Sequence, residues 1–445
     1  MKTLFELPEP EAAKPVAATR PAEARVVRPS RNQQEWAPRA LDALLPEDHR
    51  ARAIWAMLER LDLAAFYASI KAVTGHPGHP TTDPQVLLAL WLYATVEGIG
   101  SARHLARLCE EHDAYRWLRG GVPINYHMLS DFRVAHQAAL DDLLTEILAS
   151  MLCEGLVTLR HVAQDGMRVR ASAGAGSFRR KERLEQFVED ARAQVTRLAQ
   201  EREHPAPDVT RREQAARERA AQERQRRVEE ALRHLPQIQA AKERQGQTLA
   251  KPKRRKVTEA RVSTTDPEAR VMKMPDGGFR PAYNLEIASD VDSQVIVGVG
   301  VVTKGSDLGE AVPMADQIDQ RAARSPEGYL MDGGFVKRAD ITTLERRGMT
   351  VYAPTRSPRT ETSGRTQAEP RPDDTPEVAA WRARMETPEA KEIYRERAAT
   401  AECVNAHGRR HGLQQLPVRS AEKVLSVLLF VAIAHNLLRW ITLTS

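Results

Sequence analysis

Three acidic residues lie in sequence surroundings that suit metal-dependent chemistry. Asp165 comes towards the end of an apolar run, and Asp332 directly follows the apolar run at 328–331. Glu402 lies in a segment with helical spacing. Carboxylates that follow strands of a mixed α/β sheet stand where such folds place their functional sites. The three residues are therefore the first candidates for a site.

Three converging carboxylates would repel one another, and divalent cations relieve that repulsion. Oxygen ligands suit Mg²⁺ or Mn²⁺. Two such ions, about 3.5–4 Å apart, can activate an attacking oxygen and stabilise a leaving oxygen at one phosphodiester. Taken singly, an Asp-Gly after a strand is commonly a turn, and a helical Glu is commonly solvated. Spacing by itself therefore does not establish the site.

The elements that must position these acids follow a regular order. The segment Leu159–Ala171 is predicted to be a strand that ends near Asp165. Further strands are predicted at Ala269–Lys273, Arg280–Ser289, Gln294–Thr303, Gly328–Met331 and Thr350–Ala353. Helices are predicted at Gly309–Ala323, at Lys337–Arg347 and from Val378 past Glu402. An antiparallel meander followed by βαβ units predicts a mixed sheet with helices on its faces.

The first part of the chain has a different character. Residues 1–35 are rich in Pro and Ala and are predicted to be a disordered leader. Residues 36–154 are predicted to be helical, with a start signal at Thr82-Asp83-Pro84. Short helices with glycine-containing turns suit a DNA-binding domain of helix-turn-helix type, in which Tyr126–His136 would read the bases. A plain helical bundle gives the same pattern.

A basic insertion at residues 177–256 interrupts the half of the chain that holds the predicted strands. It holds 22 Lys/Arg against 13 Asp/Glu, whereas the whole chain has a net charge of +6, so the remainder is acidic. We expect two exposed helices broken around His204–Pro207, followed by the cluster Lys253, Arg254, Arg255 and Lys256. The insertion either follows a DNA backbone or is a solvated arm that packs on itself or on a second subunit.

Composition limits the class of protein. At 445 residues the chain should hold more than one folded unit, and its basic balance favours an anionic partner. Three cysteines without CxxC spacing fit a reducing cytosol and predict neither disulfides nor a zinc site. The apolar run Val424–Ala434 is too short to span a bilayer and is predicted to be a core helix capped by Ser420. Residues 357–376 are predicted to be a mobile loop.

Several sequence motifs together resemble those of the DDE transposases of bacterial insertion sequences. The resemblance is to the branch that has an all-helical N-terminal domain and a long helical insertion after the first catalytic strand. The resemblance runs from about Leu44 to the C-terminus. The motifs are HPTTDPQVLLALWLYATVEGIG, VAQDGMRVRASAG, STTDPEARVMKMPDGGFRPAYNLEIASD, YLMDGGF and IYRERAATAECVNAHGRRHGL.

This resemblance implies an RNase H-like catalytic domain made of residues 155–176 and 257–445. It implies that Asp165, Asp332 and Glu402 hold two Mg²⁺ (or Mn²⁺) ions. The signature helix of the family carries a Tyr, an Arg, a Glu and a basic residue in this order. Two, three and six other residues separate them, respectively. Tyr394, Arg397, Glu402 and Arg409 match this order, with four residues instead of three between Arg397 and Glu402.

The resemblance also implies how DNA is bound. Arg397 and Arg409 would clamp phosphates, which suits guanidinium geometry. Tyr394 would either contact the DNA backbone or pack its helix, and Asn405 and His407 would either support the site or be exposed. Arg168 and the cluster Lys253–Lys256 complete the expected DNA contacts.

The implied function is a transposase that cleaves DNA at the element's ends and transfers the strand into target DNA. Its partners would be double-stranded DNA, as terminal inverted repeats and target, and a second copy of the chain on that DNA. It would act in the bacterial cytoplasm near the nucleoid, without a membrane. The alternatives are an RNase H-like nuclease that does not join DNA and a catalytically decayed DNA-binding protein.

Overall fold

The computed structural model describes residues 38–68, 70, 80–203, 210–248, 259–355 and 369–444. Residues from Leu41 onward form one compact unit. Four predictions fall wholly or largely outside the described residues: the leader 1–35, the break at His204–Pro207, the basic cluster Lys253–Lys256 and the loop 357–376.

The chain before its first strand is helical, which confirms the predicted N-terminal helical region. After a short 3₁₀ turn at Leu41–Leu44, its helices are α1 Arg50–Leu58, α2 Ala64–Tyr67, α3 Pro84–Val96, α4 Ala102–Glu111, α5 Asp113–Arg119, α6 Tyr126–Ala135 and α7 Gln137–Cys153. The predicted start of α3 is confirmed: Asp83 accepts a hydrogen bond from the Gln85 amide at 2.9 Å, and Pro84 occupies the first turn. Nearly all of α3 is buried, so this helix forms the centre of the helical region.

The second part of the chain combines a mixed sheet with helices. Its strands are β1 His161–Arg170, β2 Phe178–Arg179, β3 Val262–Ser263, β4 Arg270–Lys273, β5 Phe279–Asp290, β6 Ile296–Val302, β7 Gly328–Met331 and β8 Thr350–Tyr352. Between and after them lie helices α8 Lys181–Glu203, α9 Arg211–Thr248, α10 Ala311–Ala322, α11 Arg338–Arg346, α12 Pro376–Arg384, α13 Pro388–Arg410 and α14 Ala421–Thr444.

The main sheet has the order β4-β5-β1-β7-β8, and β6 also pairs with β5. Strands β4, β5, β6 and β1 pair antiparallel, whereas β1, β7 and β8 run parallel. The prediction of a mixed sheet is confirmed. The small sheet β2–β3 was not predicted, because strands of two residues carry no periodic signal.

One strand is longer than the sequence indicated. We expected β1 to end near Asp165, but it continues to Arg170 because β5 pairs with it along that whole length. Strand β7 ends at Met331, which pairs with Gln164. From Asp165 onward, β1 therefore no longer pairs with β7. Asp165 therefore lies in the middle of a strand, at the point where its parallel neighbour stops.

The long helix predicted from Val378 is two helices. α12 ends at Arg384, and α13 begins afresh with Pro388 in its first turn. Thr387 caps α13 by accepting a hydrogen bond from the Ala390 amide at 3.2 Å. Proline lacks the amide that a continuing helix needs, so the chain breaks and restarts here.

Helices cover both faces of the sheet. Gln164 and Glu286 lie on one face, where the Gln164 amide donates to the Glu310 carbonyl just before α10. Asp165 points to the opposite face, where it contacts α13. Neighbouring residues of a strand alternate between faces, so β1 presents Asp165 to one layer and Gln164 to the other.

Helix α14 is a core helix, as predicted. It is long and apolar enough to cross a membrane, but 72% of its most apolar window is buried inside the protein. Asn436 fixes it to the sheet by accepting from the Ile296 amide and donating to the Ile296 carbonyl, both at 2.8 Å. The helix starts directly after Ser420, but its first amide, that of Ala421, donates to the Glu268 carboxylate at 2.7 Å.

The insertion forms two long helices, α8 and α9, that pack against each other. They share a small apolar cluster of their own, in which Leu184, Val188, Val228 and Leu235 are buried. Most of the charged residues that the structure describes in these two helices are exposed.

Candidate active site

Asp165 and Asp332 lie side by side on neighbouring parallel strands. The register of β1 and β7 pairs Gln164 with Met331, and each acid is the next residue along the chain, within β1 for Asp165 and directly after β7 for Asp332. Neighbouring strands are about 4.8 Å apart, so the two backbones hold the acids close together. The Asp332 carboxylate also accepts a hydrogen bond from the Gly334 amide at 2.6 Å.

Helix α13 binds the Asp165 carboxylate from the other side. Arg397 Nη2 donates to Oδ1 at 2.8 Å, and Asn405 Nδ2 donates to Oδ2 at 2.7 Å. Burial raises the pKa of Asp165, the Arg397 guanidinium opposes this rise, and the charge of Asp332 adds to it. Asn405, whose role the sequence left open, therefore supports the site.

The sequence did not point to two further acids, which lie by Gly166 on the face of β1 opposite to Asp165. Asp307 follows β6, and Glu286 lies on β5 with 1% of its surface exposed. The buried Asn284 joins them: its Nδ2 donates to Glu286 Oε1 and to Asp307 Oδ1, both at 2.6 Å. Burial, aided by the charge of Asp307, raises the pKa of Glu286 to about 8.

Two glycines make room for these side chains. A Cβ on Gly166 would lie 2.6 Å from Asp307 Oδ1 and 3.1 Å from both Asn284 Nδ2 and Glu286 Oε1. A Cβ on Gly334 would lie 2.8 Å from Asp332 Oδ1 and 3.0 Å from Asp307 Oδ2. The shortest contact at each position is closer than real Cβ atoms allow. Glycine at 166 and 334 therefore leaves room for the carboxylates of Asp307, Glu286 and Asp332, which together with Asp165 are called the acidic cradle.

The residues of this cradle fit a divalent cation. Its donors are carboxylate and amide oxygens, the ligands that Mg²⁺ and Mn²⁺ prefer. Arg397 neutralises Asp165. Among the residues that the structure describes, no Lys or Arg forms an ion pair with Asp307 or Asp332. Negative charge is thus concentrated at Gly166 and Gly334.

The chain matches two family models of transposases. Residues 39–135, from the first 3₁₀ turn to the end of α6, match the model described as Transposase domain (DUF772). Residues 354–441, which contain α12, α13 and most of α14, match the model described as Transposase DDE domain.

These two matches indicate an insertion-sequence DDE transposase. No curated protein and no solved structure matches it. The second matched range contains Tyr394, Arg397, Glu402 and Arg409 of the transposase, whereas Asp165 and Asp332 lie outside both ranges.

Glu402 differs from the other acids of the transposase in its exposure and in its contacts. Its side chain is exposed, and it makes no hydrogen bond or ion pair with any described residue. On α13 it lies about 140° around the helix axis from Arg397 and about 60° from Asn405, given about 100° per residue. The extra residue after Arg397 thus turns Glu402 away from the face that binds Asp165.

Tyr394 lies beside the acids. It is half-buried, burial raises its pKa, and the nearby charges of Asp332 and Asp165 add to that rise. Arg168, which the sequence analysis expected to contact DNA, donates within the protein to the carbonyl oxygens of Lys273 at 2.8 Å and Gly305 at 3.1 Å. It therefore fixes the loop that precedes Asp307.

Arg409 lines a different surface of the transposase. With Arg410 it borders a groove whose other walls include Gly98, Ser101 and Gln415. Both arginines are exposed, and neither pairs with an acid within the described ranges. The groove joins α13 to the helical N-terminal region at the start of α4.

A second group of metal-ligand type lies on other elements. Glu230 and His234 of α9 and Glu268, which follows β3, offer ligand atoms within 4.8 Å of one another. Glu268 also accepts the hydrogen bond from Ala421 at the start of α14. The group shares no residue with the acids around Gly166.

Two features of the sequence could have pointed to the missed residues. Asp307 lies in the loop that follows the apolar strand β6, although not directly after the strand as Asp332 does after β7. Asn284 and Glu286 are polar residues two apart in the buried part of β5, which is unusual for a core strand. Neither feature reveals that the β6–α10 loop reaches across to Gly166.

Proposed function

We propose that the chain cleaves DNA at the ends of its own insertion sequence and joins the freed 3′ ends to target DNA, using two Mg²⁺ or Mn²⁺ ions held by Asp165, Asp332 and Glu402. The observation that carries the proposal is the alignment of Asp165 and Asp332 on neighbouring parallel strands. For Glu402 the support is the family resemblance, because its side chain is exposed and forms no hydrogen bond or ion pair with a described residue.

We further propose that the sheet is an RNase H-like core. Support comes from the strand order, in which the antiparallel β6, β5 and β1 are followed by the parallel β7 and β8. Helices α10 and α11 connect the later strands, as in βαβ units. The insertion α8–α9 then leaves the core between β1 and β5.

The chain's own residues prepare the site for phosphodiester chemistry. Bound divalent ions supply Lewis acidity for the attacking and leaving oxygens. Arg397 and Asn405 fix both oxygens of Asp165, and the Gly334 amide orients Asp332. These contacts hold the carboxylates in place before DNA binds, which is what electrostatic preorganisation requires.

DNA binding is proposed for three surfaces. Tyr394 and Arg397 lie beside the acids and would meet the scissile strand. The groove of Arg409 and Arg410 offers two unpaired guanidinium groups for phosphates. The cluster Lys253–Lys256, outside the described residues, adds charge for duplex DNA. We also propose that two copies of the chain act on DNA in the cytoplasm, because two element ends must be held at once.

The experiment is a joining assay. Purified protein is incubated with Mg²⁺, with labelled DNA carrying the sequences that flank its own gene, and with a target plasmid. We expect labelled ends that are covalently joined to the plasmid, and no product in EDTA. Cut ends without joined product would contradict the proposal and identify a nuclease. Duplex binding without any cleavage would identify a DNA-binding protein that has lost catalysis.

A further inference from the structure

We propose that Asp307 is an additional ligand of the divalent cation and shares it with Asp332. This inference rests on the proposed function, in which Asp332 holds a metal ion. The geometry points to Asp307 from two directions, one at Gly334 and one at Gly166.

The first observation concerns the space at Gly334. Asp332 Oδ1 and Asp307 Oδ2 lie 2.8 Å and 3.0 Å from the position that a Cβ would take there. The two oxygens therefore face each other across a small space that a side chain would fill. Two carboxylates this close repel each other unless a cation lies between them. Neither forms an ion pair with a described Lys or Arg.

The second observation concerns the other oxygen of Asp307 and its support. Asp307 Oδ1 accepts a hydrogen bond from Asn284 Nδ2 at 2.6 Å. Asn284 is fully buried, and its own Oδ1 accepts no hydrogen bond from any described residue. A buried carbonyl oxygen without a donor is energetically unfavourable. The Nδ2 atom of the same amide group holds Asp307 Oδ1, which leaves Asp307 Oδ2 to face Asp332 at Gly334.

The loop that carries Asp307 is held in place at several points. Arg168 Nη2 donates to the Gly305 carbonyl at 3.1 Å, and Lys304 forms an ion pair with Glu310. The Glu310 amide donates to the Asp307 carbonyl at 3.1 Å. These contacts fix the direction of Asp307 relative to β1, so it meets Asp332 without a change of the loop.

The test measures Mn²⁺ binding by electron paramagnetic resonance in the absence of DNA, so it does not depend on activity. The variants are Asp307→Asn, Asp332→Asn and, as a matched control, Asp316→Asn. Asp316 is a partly exposed aspartate on α10 that pairs with Arg347. Thermal unfolding of each variant confirms that it is folded, and the isosteric Asp→Asn change avoids a cavity.

We expect Asp307→Asn to lower Mn²⁺ affinity at least about tenfold, since loss of even an outer partner of a metal ligand costs about 10–100-fold. Asp316→Asn should bind like the wild type. Wild-type affinity in Asp307→Asn, together with lost binding in Asp332→Asn, would overturn this inference and leave the proposed function standing. A wild-type protein that binds no Mn²⁺ and joins no DNA would overturn both.

Discussion

The Arg397 guanidinium donates to the Asp165 carboxylate at 2.8 Å, and both side chains are mostly buried, with 14% and 23% of their surfaces exposed. This ion pair connects the signature helix of the family to the strand that carries the first acid. It also explains how three or more carboxylates can coexist in the folded protein before a metal ion binds.

Arg397→Ala should therefore destabilise the protein, because it leaves a half-buried carboxylate beside Asp332. We expect a loss of about 1.5–3 kcal/mol in the free energy of unfolding, the usual contribution of a hydrogen bond to a charged group. Urea denaturation measures this loss. Arg395→Ala on the same helix is the control, since Arg395 is 75% exposed and should contribute little. Equal stability of the two variants would show that the ion pair does not support the site.

Glu402 provides a sharp test of the family assignment. If its carboxylate joins the metal site when DNA binds, Glu402→Gln should lower the rate of Mg²⁺-dependent cleavage by roughly 10²–10³-fold, as the loss of one preorganised electrostatic group does. Glu392→Gln is the matched control, because Glu392 is exposed on the same helix. Cleavage at the wild-type rate in Glu402→Gln would remove this residue from the site.

The stability of the protein should depend on pH through His435. Burial lowers the pKa of this side chain from 6.5 to about 4, and its Nε2 contacts the Gln294 carbonyl at 2.8 Å. The unfolded chain takes up a proton near pH 6.5, whereas the folded protein takes it up near pH 4. This contribution to stability is therefore full above pH 6.5 and declines as the pH falls towards 4.

The expected loss is about 3 kcal/mol by pH 4, from about 1.4 kcal/mol per pH unit. Urea midpoints measured from pH 8 to pH 4.5 record the decline. His435→Gln has no group that titrates in this window, so its stability should fall less steeply over the same range. Parallel pH profiles for the variant and the wild type would contradict this account.

The basic cluster at the end of the insertion should strengthen binding to any duplex DNA. Replacing Lys253, Arg254, Arg255 and Lys256 by Ala should lower affinity equally for specific and unrelated sequences. The slope of log K against log salt should fall by about 0.9 for each side chain that contacts a phosphate. The control Lys253→Arg/Lys256→Arg keeps the charge and should keep the slope. An unchanged slope in the Ala variant would show that the insertion is a solvated arm.

The sequence predicted the parts of the fold that depend on local patterns. Strand β7 was predicted with its observed bounds, since Pro326 before this short apolar run and Asp332 after it limit its length. The alternation of strands and helices likewise indicated the mixed sheet. The break at Pro388 was missed, because α13 resumes helical spacing at once.

The sequence could not indicate contacts that depend on the meeting of distant elements. Asp307 reaches Gly166 through a loop whose path is fixed by Arg168 and Lys304. Asn405 rather than Glu402 contacts Asp165, because α13 packs on β1 through one particular face. Such a rotation about a helix axis is set by tertiary packing, and a motif that matches in order does not reveal it.

The central claim is that Asp165 and Asp332 act together in metal-dependent cleavage of DNA. The most direct test is the single-turnover cleavage rate of Asp165→Asn and Asp332→Asn on element-end DNA with Mg²⁺, with Asp316→Asn as the control. We predict that each of the two variants loses roughly 10²–10³-fold or more in rate, while the control cleaves like the wild type. Cleavage within a few fold of the wild-type rate by either Asp165→Asn or Asp332→Asn would contradict the account.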